Sequence, residues 1–466
     1  MTLRSAKERF ALGQERRKQM RRMEHGTWKA KERHEDPLKL LEVSARGRLP
    51  KLMALKYQRM ALSPFGYFRG AVPVMAYDLS LMGNTGIVNQ LCGDAHVRNL
   101  GAYAGPDGRL VFDINDFDET LVGPFEWDVK RMATSLILAG REAGAKNLHC
   151  REAASVFLER YRTDMQAFAR MPVLDVARHQ VGRLRSAGPV SGIMRTAERS
   201  TPFHTLLTLT EAGHQAAKRK MAEAKRHEAK PERIFKTIPP VLRRVTGVEA
   251  DRVVDSLGKY TESLLRERRW FLSQYRPVDV AFKVVGTGSV GLRDYCVYME
   301  GNGPKDPLFL QIKEEVPSAY APYMAREAHG PNRRGASHQG RRVVEGGRAM
   351  QLQSDPFLGW TTMEGRDYLV RQLNDHKASI EVQDLRAAEL LGYAGVCGEL
   401  LARGHARSGD CAQLAGYLGT SGRFDDAVVL FADAYADQTE TDWRELVQSM
   451  KRKGKKIPKP AKDGDS

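Results

Sequence analysis

The stretch from Cys92 to Lys130 concentrates side chains that could do chemistry. Its first part, CGDAHVRNLG, contains Asp94, His96 and Asn99, and its second part, FDINDFDET, is rich in carboxylates. Carboxylate and amide oxygens held on loops beside strands are the ligands that a hard cation such as Mg²⁺ and a polyphosphate require. The stretch therefore predicts phosphoryl-transfer chemistry.

The second part of the stretch holds three carboxylates, Asp113, Asp116 and Asp118. Carboxylates this close repel one another unless a cation or an arginine lies among them. The alternative interpretation, acidic turn residues in a solvated loop, fits poorly with apolar residues such as Phe117 between them. We therefore expect a cation to lie among these carboxylates.

A glycine-rich segment much later in the chain contains Gly286, Gly288, Ser289 and Gly291 in a turn between two predicted strands. A dinucleotide-binding glycine motif would open a helix, so a hairpin that covers phosphates is the better interpretation. Lys313 follows in the strand LFLQIKEE, and a lysine on a buried strand face is costly unless it has an anionic partner. These residues are predicted to bind a nucleotide. The alternative for Lys313 is an edge-strand side chain that points to water.

The lysine of such a site needs a glutamate on the following helix to orient it. Glu345, in the predicted helix RRVVEGGRAMQLQ, is the first candidate because this helix directly precedes the next predicted strand. Glu327 is its competitor. ATP and Mg²⁺ are the cofactors that this set of residues predicts.

The segment CGDAHVRNLG resembles the catalytic loop of the aminoglycoside and choline phosphotransferases, commonly written HGD-x-H-x-x-N. Asp94, His96 and Asn99 match that pattern, whereas Cys92 departs from its leading histidine. By this resemblance Asp94 and His96 are the candidate catalytic residues, and Asp94 would orient or deprotonate the acceptor hydroxyl. The resemblance also implies that Asn99 coordinates Mg²⁺.

The same phosphotransferases place a structural aspartate about a dozen residues beyond the metal-binding one, at the start of a helix. Asp116 and Asp128 fit that interval. The resemblance thus makes Asp116 the first metal ligand, Asp118 a candidate for a second metal or for supporting the first, and Asp128 a residue that braces the loop. Asp113 is left to close the preceding hairpin.

From Leu49 to Asp442 the chain also resembles a bacterial family of unknown function, domain-of-unknown-function 2252 (DUF2252). The shared motifs include SPF-x-x-x-RG, CGDAH-x-x-N, FDINDFDET-x-x-GPFEWD-x-KR, VG-x-GSVG and LAR-x-HARSGD. The family name implies no substrate, so the mechanism must come from the residues themselves.

The elements that position these residues are predicted in an unusual order. Strand and hairpin patterns surround Asp94 and Asp116, the region 150–270 is expected to be mostly helical, and three consecutive strands follow near the glycine-rich turn. We expect an α+β fold, protein-kinase-like and two-lobed, with a helix-rich large lobe and a small antiparallel-sheet lobe in permuted order. Its expected parts are a basic, frayed N-terminal extension (1–45), a helix-rich lobe (46–278), a strand-rich nucleotide-covering lobe (279–375), helices that complete the large lobe (376–450) and a basic disordered tail (451–466).

Composition narrows the setting of this chemistry. The 466 residues carry a net charge of +17, largely in the first 33 residues, a patch from Lys218 and the tail from Lys451. Such runs are more often solvated faces than binding sites, so nucleic-acid binding through the basic ends is possible but not favoured. Five scattered cysteines without a C-x-x-C argue against a disulfide framework or a zinc site. With no membrane span and no secretory signal, a cytoplasmic setting is expected.

The function that these patterns favour is an ATP- and Mg²⁺-dependent phosphotransferase acting on a hydroxyl of a small molecule or a protein. A catalytically silent nucleotide-binding module, an adenylyl transferase and a metal-dependent hydrolase built on His96 and the aspartates remain alternatives. The hydrolase would not explain the glycine-rich turn and Lys313. The roles of Arg69, Arg407 and Asp410 stay open at this point.

Overall fold

Helices and antiparallel strands follow one another in blocks along the chain, and the expected α+β class is confirmed. The computed structural model describes residues 4–179, 188–213, 233–324, 338–373, 376–386 and 388–455. Among these residues no helix is both long enough and apolar enough to span a bilayer.

The helices of the described ranges fall into an N-terminal group, a central group and a C-terminal group. They are α1 (Ala6–Gln19), α2 (Pro37–Ser44), α3 (Pro50–Ala61), α4 (Pro64–Gly70), α5 (Val72–Ser80), α6 (Phe125–Glu142), α7 (Asn147–Phe168), α8 (Val173–Arg178), α9 (Gly188–Arg199), α10 (Pro202–Leu209), α11 (Val248–Ser263), α12 (Arg266–Leu272), α13 (Gln339–Met350), α14 (Ala388–Ser408), α15 (Cys411–Leu418) and α16 (Arg423–Arg452).

The strands of the described ranges are β1 (Val88–Leu91), β2 (Leu100–Ala104), β3 (Leu110–Ile114), β4 (Leu121–Pro124), β5 (Thr210–Ala212), β6 (Arg233–Phe235), β7 (Leu242–Val245), β8 (Arg276–Lys283), β9 (Asp294–Glu300), β10 (Pro307–Glu315), β11 (Gly359–Met363), β12 (Arg366–Gln372) and β13 (Ala378–Ser379). Six of them form one antiparallel sheet in the order β11-β12-β10-β9-β8-β7. β13, β2 and β3 form a second sheet, and β1 pairs with β4.

The six-stranded sheet is covered on both faces, because side chains alternate from one face to the other along each strand. Val297 on β9 packs in the same core cluster as Val253 of α11. Its neighbours Cys296 and Tyr298 point the other way and pack with Phe235 of β6. Strands buried on both sides read as continuous apolar runs, as β9 does.

The helical part of the chain has its own core, to which α6, α7, α14 and α16 contribute. α6 is buried along almost its whole length and begins directly after the aspartate-rich segment. Its first turns therefore hold Asp128 and Arg131 rigidly beneath that segment.

The six-stranded sheet includes a strand that lies earlier in the chain than the strands predicted around the glycine-rich turn. Residues 150–270 are mostly helical where the structure describes them, as expected, but they also contain β5, β6 and β7, and β7 is the edge strand of the six-stranded sheet. β7 pairs with β8 from Leu242 to Val245. The sequence of β7, LRRV, carries two arginines and is too short to show the alternation of apolar and polar residues that indicates a strand. For this reason the expected start of the strand-rich part, residue 279, lies after β7.

The N-terminal residues are also not the frayed extension that their charge suggested. Arg17 donates to the backbone carbonyl of Tyr417 at 2.9 Å, and Arg22 donates to that of Leu418 at 2.7 Å. Arg33 is buried between the carboxylates of Asp78 and Asp442. These basic residues satisfy acceptors of their own chain. Of the other basic runs, residues 218–232 and those beyond 455 lie outside the described part, and α16 extends into the expected tail as far as Arg452.

α1 and α15 approach so closely that only glycine fits at their contact. A Cβ at Gly13 would collide with the carbonyl oxygen of Gln413, and a Cβ at Gly416 would collide with that of Phe10. Because backbone stands on both sides of the contact, neither helix can yield without moving as a whole.

We therefore expect Gly416→Ala to lower the free energy of unfolding by about 2 kcal/mol and to make α1 more accessible to limited proteolysis. The matched control is Gly392→Ala, at an exposed position of α14 where a Cβ meets nothing within 4 Å. It should stabilise the protein by about 0.5 to 1 kcal/mol, because alanine is the better helix former. Urea denaturation of both variants measures these changes, and equal stability of the two would contradict the close packing of α1.

Candidate functional site

Residues from widely separated parts of the chain line one cleft of about 640 Å³, partly open to solvent. It lies where the β1–α6 region meets the turn between β8 and β9. Its lining includes Asp94, His96, Asn99, Asp116, Asp118, Gly286, Gly288 and Ser289, and also Arg48, Arg69, Glu119 and Glu315. The structure thus brings together most of the site residues that the sequence pointed to.

Asp128 holds the loop that follows β1. Its carboxylate accepts hydrogen bonds from the backbone N–H groups of Cys92 at 2.8 Å and Gly93 at 2.9 Å. Gly93 has a φ of +83°, and a Cβ there would collide with the carbonyl oxygen of Glu119. His405 of α14 lies 3.3 Å from the same carboxylate. The loop is therefore clamped from α6 and α14, with Asp128 in the bracing role that its spacing from Asp116 indicated.

Asp94 faces a buried arginine that the sequence analysis did not single out. The Nε of Arg131 donates to the Asp94 carboxylate at 2.7 Å, and its Nη2 donates to the backbone carbonyl of Phe68 at 3.1 Å. Burial raises the pKa of Asp94 to about 6, although Arg131 acts in the opposite direction. Asp94 is thus an oriented carboxylate whose proton affinity lies close to the neutral range.

Asn99 and His96 complete this loop. The side-chain Nδ2 of Asn99 donates to the backbone carbonyl of Asp94 at 2.6 Å, which leaves its Oδ1 as an acceptor on a residue that lines the cleft. Nδ1 of His96 accepts from the backbone N–H of Arg98 at 3.2 Å, and Nε2 lies 3.6 Å from the Asp94 carboxylate. Burial, reinforced by Arg69, lowers the pKa of His96 well below its ordinary value, so the ring is neutral.

Lys313 forms a buried ion pair with Asp118. Its side chain is 3% exposed, which excludes the alternative of a strand lysine that points to water. Burial by itself would lower the pKa of Lys313, but Asp118 and then Asp116 outweigh it and raise that pKa. Burial would likewise raise the pKa of Asp118, and Lys313 instead lowers it. The six-stranded sheet and the aspartate-rich segment are thus joined by this pair.

Glu345 does not take the position expected of it. Its side chain is 53% exposed and accepts a hydrogen bond from Arg341, one turn earlier on α13, at 2.7 Å. The carboxylate that pairs with Lys313 comes from Asp118 instead, so the prediction for Glu345 was wrong. The helix was placed correctly, but its face toward the sheet presents glycine and valine where Glu345 was expected. Glu327 lies outside the described residues.

Basic side chains from the segment around α3 hold the glycine-rich turn through hydrogen bonds to its backbone carbonyls. Arg48 and Lys56 each donate to the carbonyl of Gly288 at 2.9 Å, and Arg59 donates to the carbonyl of Gly286. Burial lowers the pKa of Lys56 to about 7. Lys56 and Arg59 lie three apart on α3, a spacing that places them on one face of the helix, and this was the sequence signal for the support.

Gly291, the last predicted residue of the turn, lies apart from the main cleft. It has a φ of +95° and lines a smaller cavity of about 200 Å³ together with Lys283, Asp294 and Lys313. The underside of the turn therefore opens toward Lys313, whereas Gly286, Gly288 and Ser289 face the cleft that contains Asp94.

Two further charged residues of the cleft were not predicted to be part of the site. Glu315 is 5% exposed, and its Oε1 lacks a hydrogen-bond partner. Burial and then the neighbouring Asp118 raise the pKa of Glu315 well above its ordinary value. Arg69 lines the opposite part of the cleft with its Nε unpartnered, and burial, reinforced by Arg98, lowers the pKa of Arg69 to about 10.

Arg407 and Asp410 have structural surroundings. Arg407 donates to the backbone carbonyl of Ala177. Asp410 caps α15 by accepting from the N–H groups of Ala412 and Gln413, and it pairs with Arg9 of α1. Neither of the two lines the cleft.

The donor set fits a magnesium ion that arrives with a phosphate ligand. Among the residues that the structure describes, no three His, Cys, Asp or Glu side chains form a ready-made metal site. Mg²⁺ is commonly held by one or two carboxylates, waters and substrate phosphates, without an all-protein cage. Asn99, Asp116 and Asp118 offer oxygen atoms of that kind in one cleft.

The fold and site define a protein with helical and antiparallel-sheet parts that share a cleft of carboxylates and an amide, one of whose carboxylates, Asp118, pairs with the buried Lys313. A family model described as "Uncharacterized protein conserved in bacteria (DUF2252)" matches residues 48–449, so the chain belongs to this family. A search of the curated proteins found no match, and neither did a search of the solved structures.

Removal of the Asp128 carboxylate should destabilise the loop that carries Asp94. Asp128→Ala leaves the buried N–H groups of Cys92 and Gly93 without an acceptor. We expect it to lower the free energy of unfolding by about 3 kcal/mol in urea denaturation. Asp255→Ala, at an exposed position of α11, is the matched control and should change stability by less than about 0.5 kcal/mol. A loss of equal size in both variants would show that Asp128 does not brace the loop.

Proposed function

We propose that this protein is an ATP- and Mg²⁺-dependent phosphotransferase that acts on a hydroxyl acceptor, with a kinase-like two-lobed arrangement of its site. One observation supports the proposal above the others. Lys313 of the six-stranded sheet pairs with Asp118 beside Asp116 and Asn99, under a glycine-rich turn. A buried cation, oxygen donors of the kind that Mg²⁺ prefers and a glycine-rich turn at one place are the requirements of phosphoryl transfer.

Each residue has a role that its surroundings support. Lys313 would bind phosphate oxygens, and the turn from Gly286 to Gly291 would cover them with backbone N–H groups. Asn99 and Asp116, with Asp118 beside them, would hold Mg²⁺, which when bound neutralises the charge of the phosphates. Because Asp118 already pairs with Lys313, Asp116 is the carboxylate better placed for the metal.

Asp94 would act as the base toward the acceptor. The acceptor oxygen forms a bond to the γ-phosphorus while the bond from that phosphorus to the β–γ bridging oxygen breaks, so that ADP leaves. The hydroxyl proton passes to the Asp94 carboxylate. Arg131 fixes the orientation of this carboxylate at 2.7 Å, and the neutral His96 lies 3.6 Å from it. A base with a pKa of about 6 is ionised at neutral pH yet still accepts a proton.

A permuted order of the kinase-like parts accounts for the chain order of the site. The loop with Asp94 precedes the sheet with Lys313, and α14 follows the sheet. Tyr393 of α14 donates to the carbonyl of Val97 at 2.8 Å, and Asn89 donates to the carbonyl of His405 at 2.7 Å. The helix that comes after the sheet therefore packs against the loop that comes before it. Permutation is tolerated when chain ends lie at the surface.

The positive charge does not favour a nucleic-acid partner. Arg17, Arg22 and Arg33 in the basic N-terminal segment bind carbonyls and carboxylates of their own chain. A nucleic-acid site needs basic groups free to contact phosphates. The charge around the glycine-rich turn instead fits a nucleotide.

ATP with Mg²⁺ should raise the Tm of the wild-type protein, because a ligand at one hundred times its Kd stabilises the folded state by about 2.7 kcal/mol. Asp116→Asn and Lys313→Ala should each abolish most of this shift in thermal-shift measurements. Lys305→Ala, an exposed lysine in the turn between β9 and β10, is the control and should retain it.

Near-ultraviolet circular dichroism without ligand separates lost binding from lost folding, since Lys313→Ala leaves the buried Asp118 unpaired. Absence of any shift in wild-type protein would refute nucleotide binding. A shift without turnover would favour a silent nucleotide-binding module, and transfer of label from α-labelled but not γ-labelled ATP would show adenylyl transfer.

The pH dependence of ATP hydrolysis, with water as the acceptor, should report Asp94. Its pKa of about 6 predicts that the rate falls about tenfold per pH unit below pH 6, as the carboxylate becomes protonated. Asp94→Asn should lower the rate by about 100-fold or more and remove this pH dependence while it retains the ATP-induced thermal shift. A wild-type rate that is flat between pH 5 and pH 7 would remove Asp94 from the role of base.

A further inference from the structure

A second cavity lies on the other side of the aspartate-rich segment and encloses about 660 Å³. Asn115 and Phe117 line this cavity, whereas Asp116 and Asp118 line the cleft described above. The segment 115–118 is therefore a wall shared by two cavities.

The second cavity has the character of a small-molecule site. Apolar side chains from three elements line it, namely Phe117, Val343 of α13 and Leu369 of β12. Of this space, which is partly open to solvent, about 70 Å³ can hold the centre of a water-sized sphere, which is room for several waters or a small ligand. The lining combines apolar walls with a few polar groups, as ligand pockets do. Nothing in the proposed phosphoryl transfer uses this space.

The polar groups of this cavity include two cations, Arg371 and Lys377, and one carboxylate, Asp355. Asp355 already accepts hydrogen bonds from the backbone N–H groups of Phe357 at 2.8 Å and Gln372 at 2.6 Å. Arg371 is oriented by hydrogen bonds from its Nε to Gln311 at 2.9 Å and from its Nη1 to the carbonyl of Asn115 at 3.1 Å. Among the charges that act most strongly on Lys377 are three cations, Arg371, Lys313 and Lys283, and one carboxylate, Asp116. Positive charge outweighs negative charge among these groups, and an anion would be attracted there.

Lys377 also marks a way into the cavity. It lines the open groove between α9 and residues 378–389 as well as the second cavity. A ligand entering from this groove would meet the amine first and the apolar wall behind it. Burial, reinforced by Arg371, lowers the pKa of Lys377 to about 7, which agrees with a cation that lacks sufficient negative charge around it.

We propose that this cavity binds a small carboxylate with an apolar, planar body, whose anionic group lies against Lys377 and Arg371 and whose body packs on Phe117, Val343 and Leu369. Binding at this place does not depend on the proposed function. An effect of the bound carboxylate on the affinity for ATP, transmitted through the shared wall 115–118, does rest on that function.

The test uses matched pairs of probes on the full chain. Isothermal titration calorimetry and ligand-observed nuclear magnetic resonance compare benzoate, cinnamate and indole-3-acetate with their uncharged amides. At least one carboxylate should bind about tenfold more tightly than its amide, the difference expected for one charge-assisted contact. Failure of all three carboxylates to bind at about 5 mM, the range of weak small-ligand affinity, overturns the proposal.

Two variants locate the binding. Lys377→Met should weaken the carboxylate about tenfold and remove its advantage over the amide. Gly347→Leu fills the cavity from α13, replaces a helical glycine by a better helix former, and should abolish binding of both probes. Lys305→Met at an exposed turn is the control and should bind as wild type does. Unchanged affinity in both cavity variants would place the probe elsewhere and overturn the proposal.

Two outcomes separate this inference from the proposed function. If the carboxylate binds but ATP with Mg²⁺ does not, the cavity stands and the phosphotransferase fails. If adenosine binds, no carboxylate competes with it, and Gly347→Leu abolishes its binding, then the cavity holds the nucleotide base and the inference fails. When both ligands bind, saturating carboxylate should change the Kd for ATP by about threefold or more, and ATP should change the Kd for carboxylate by the same factor.

Discussion

The buried pair of Lys313 and Asp118 joins the two parts of the molecule on which the site depends. Each charge would be costly to bury alone, and the pair tolerates burial because each supplies the other's counter-charge. The pair also brings the strand β10 against the aspartate-rich segment, although these lie almost two hundred residues apart in the chain. Beside this pair, burial and then the charge of Asp118 raise the pKa of Glu315 well above its ordinary value.

The loop that carries Asp94 depends on a second constraint, its attachment to α6. Asp128 fixes the loop backbone and Arg131 fixes the Asp94 carboxylate, and both project from the first two turns of one buried helix. A rigid helix places the two contacts with little freedom, so the orientation of Asp94 follows from the packing of α6 in the helical core. The glycine-rich turn, by contrast, is held by side-chain contacts to its carbonyls from Arg48 and Lys56. The side of the cleft that carries Asp94 is therefore held by a rigid helix. The side formed by the glycine-rich turn is held by side-chain hydrogen bonds that a ligand could replace.

Local sequence patterns predicted many of the helices and strands of the fold. The hairpin of β2 and β3, the start of α6 at Phe125 and the strands β8 to β12 follow from alternation, turn residues and helical spacing, because those signals arise from neighbours in the chain. The position of β7 could not be read in this way, since its pairing with β8 supplies the stability that LRRV lacks by itself. The packing of the basic N-terminal segment was missed for a related reason. Its arginines bind carbonyls and carboxylates of the C-terminal helices, which no local pattern reveals.

For the site, the resemblance of short local motifs to a phosphotransferase loop selected Asp94, Asn99 and Asp116, because such motifs involve residues that are close together in the chain. Spacing also indicated that Asp128 braces this loop. The partner of Lys313 could not be chosen in that way. Glu345 was the natural expectation from chain order, yet it turns to solvent, and Asp118 takes the position instead. Which charge neutralises a buried lysine depends on which elements pack together and what each face presents. That is a property of the folded chain and not of any segment of it, since the cost of burying a charge exists only once the surrounding core has formed.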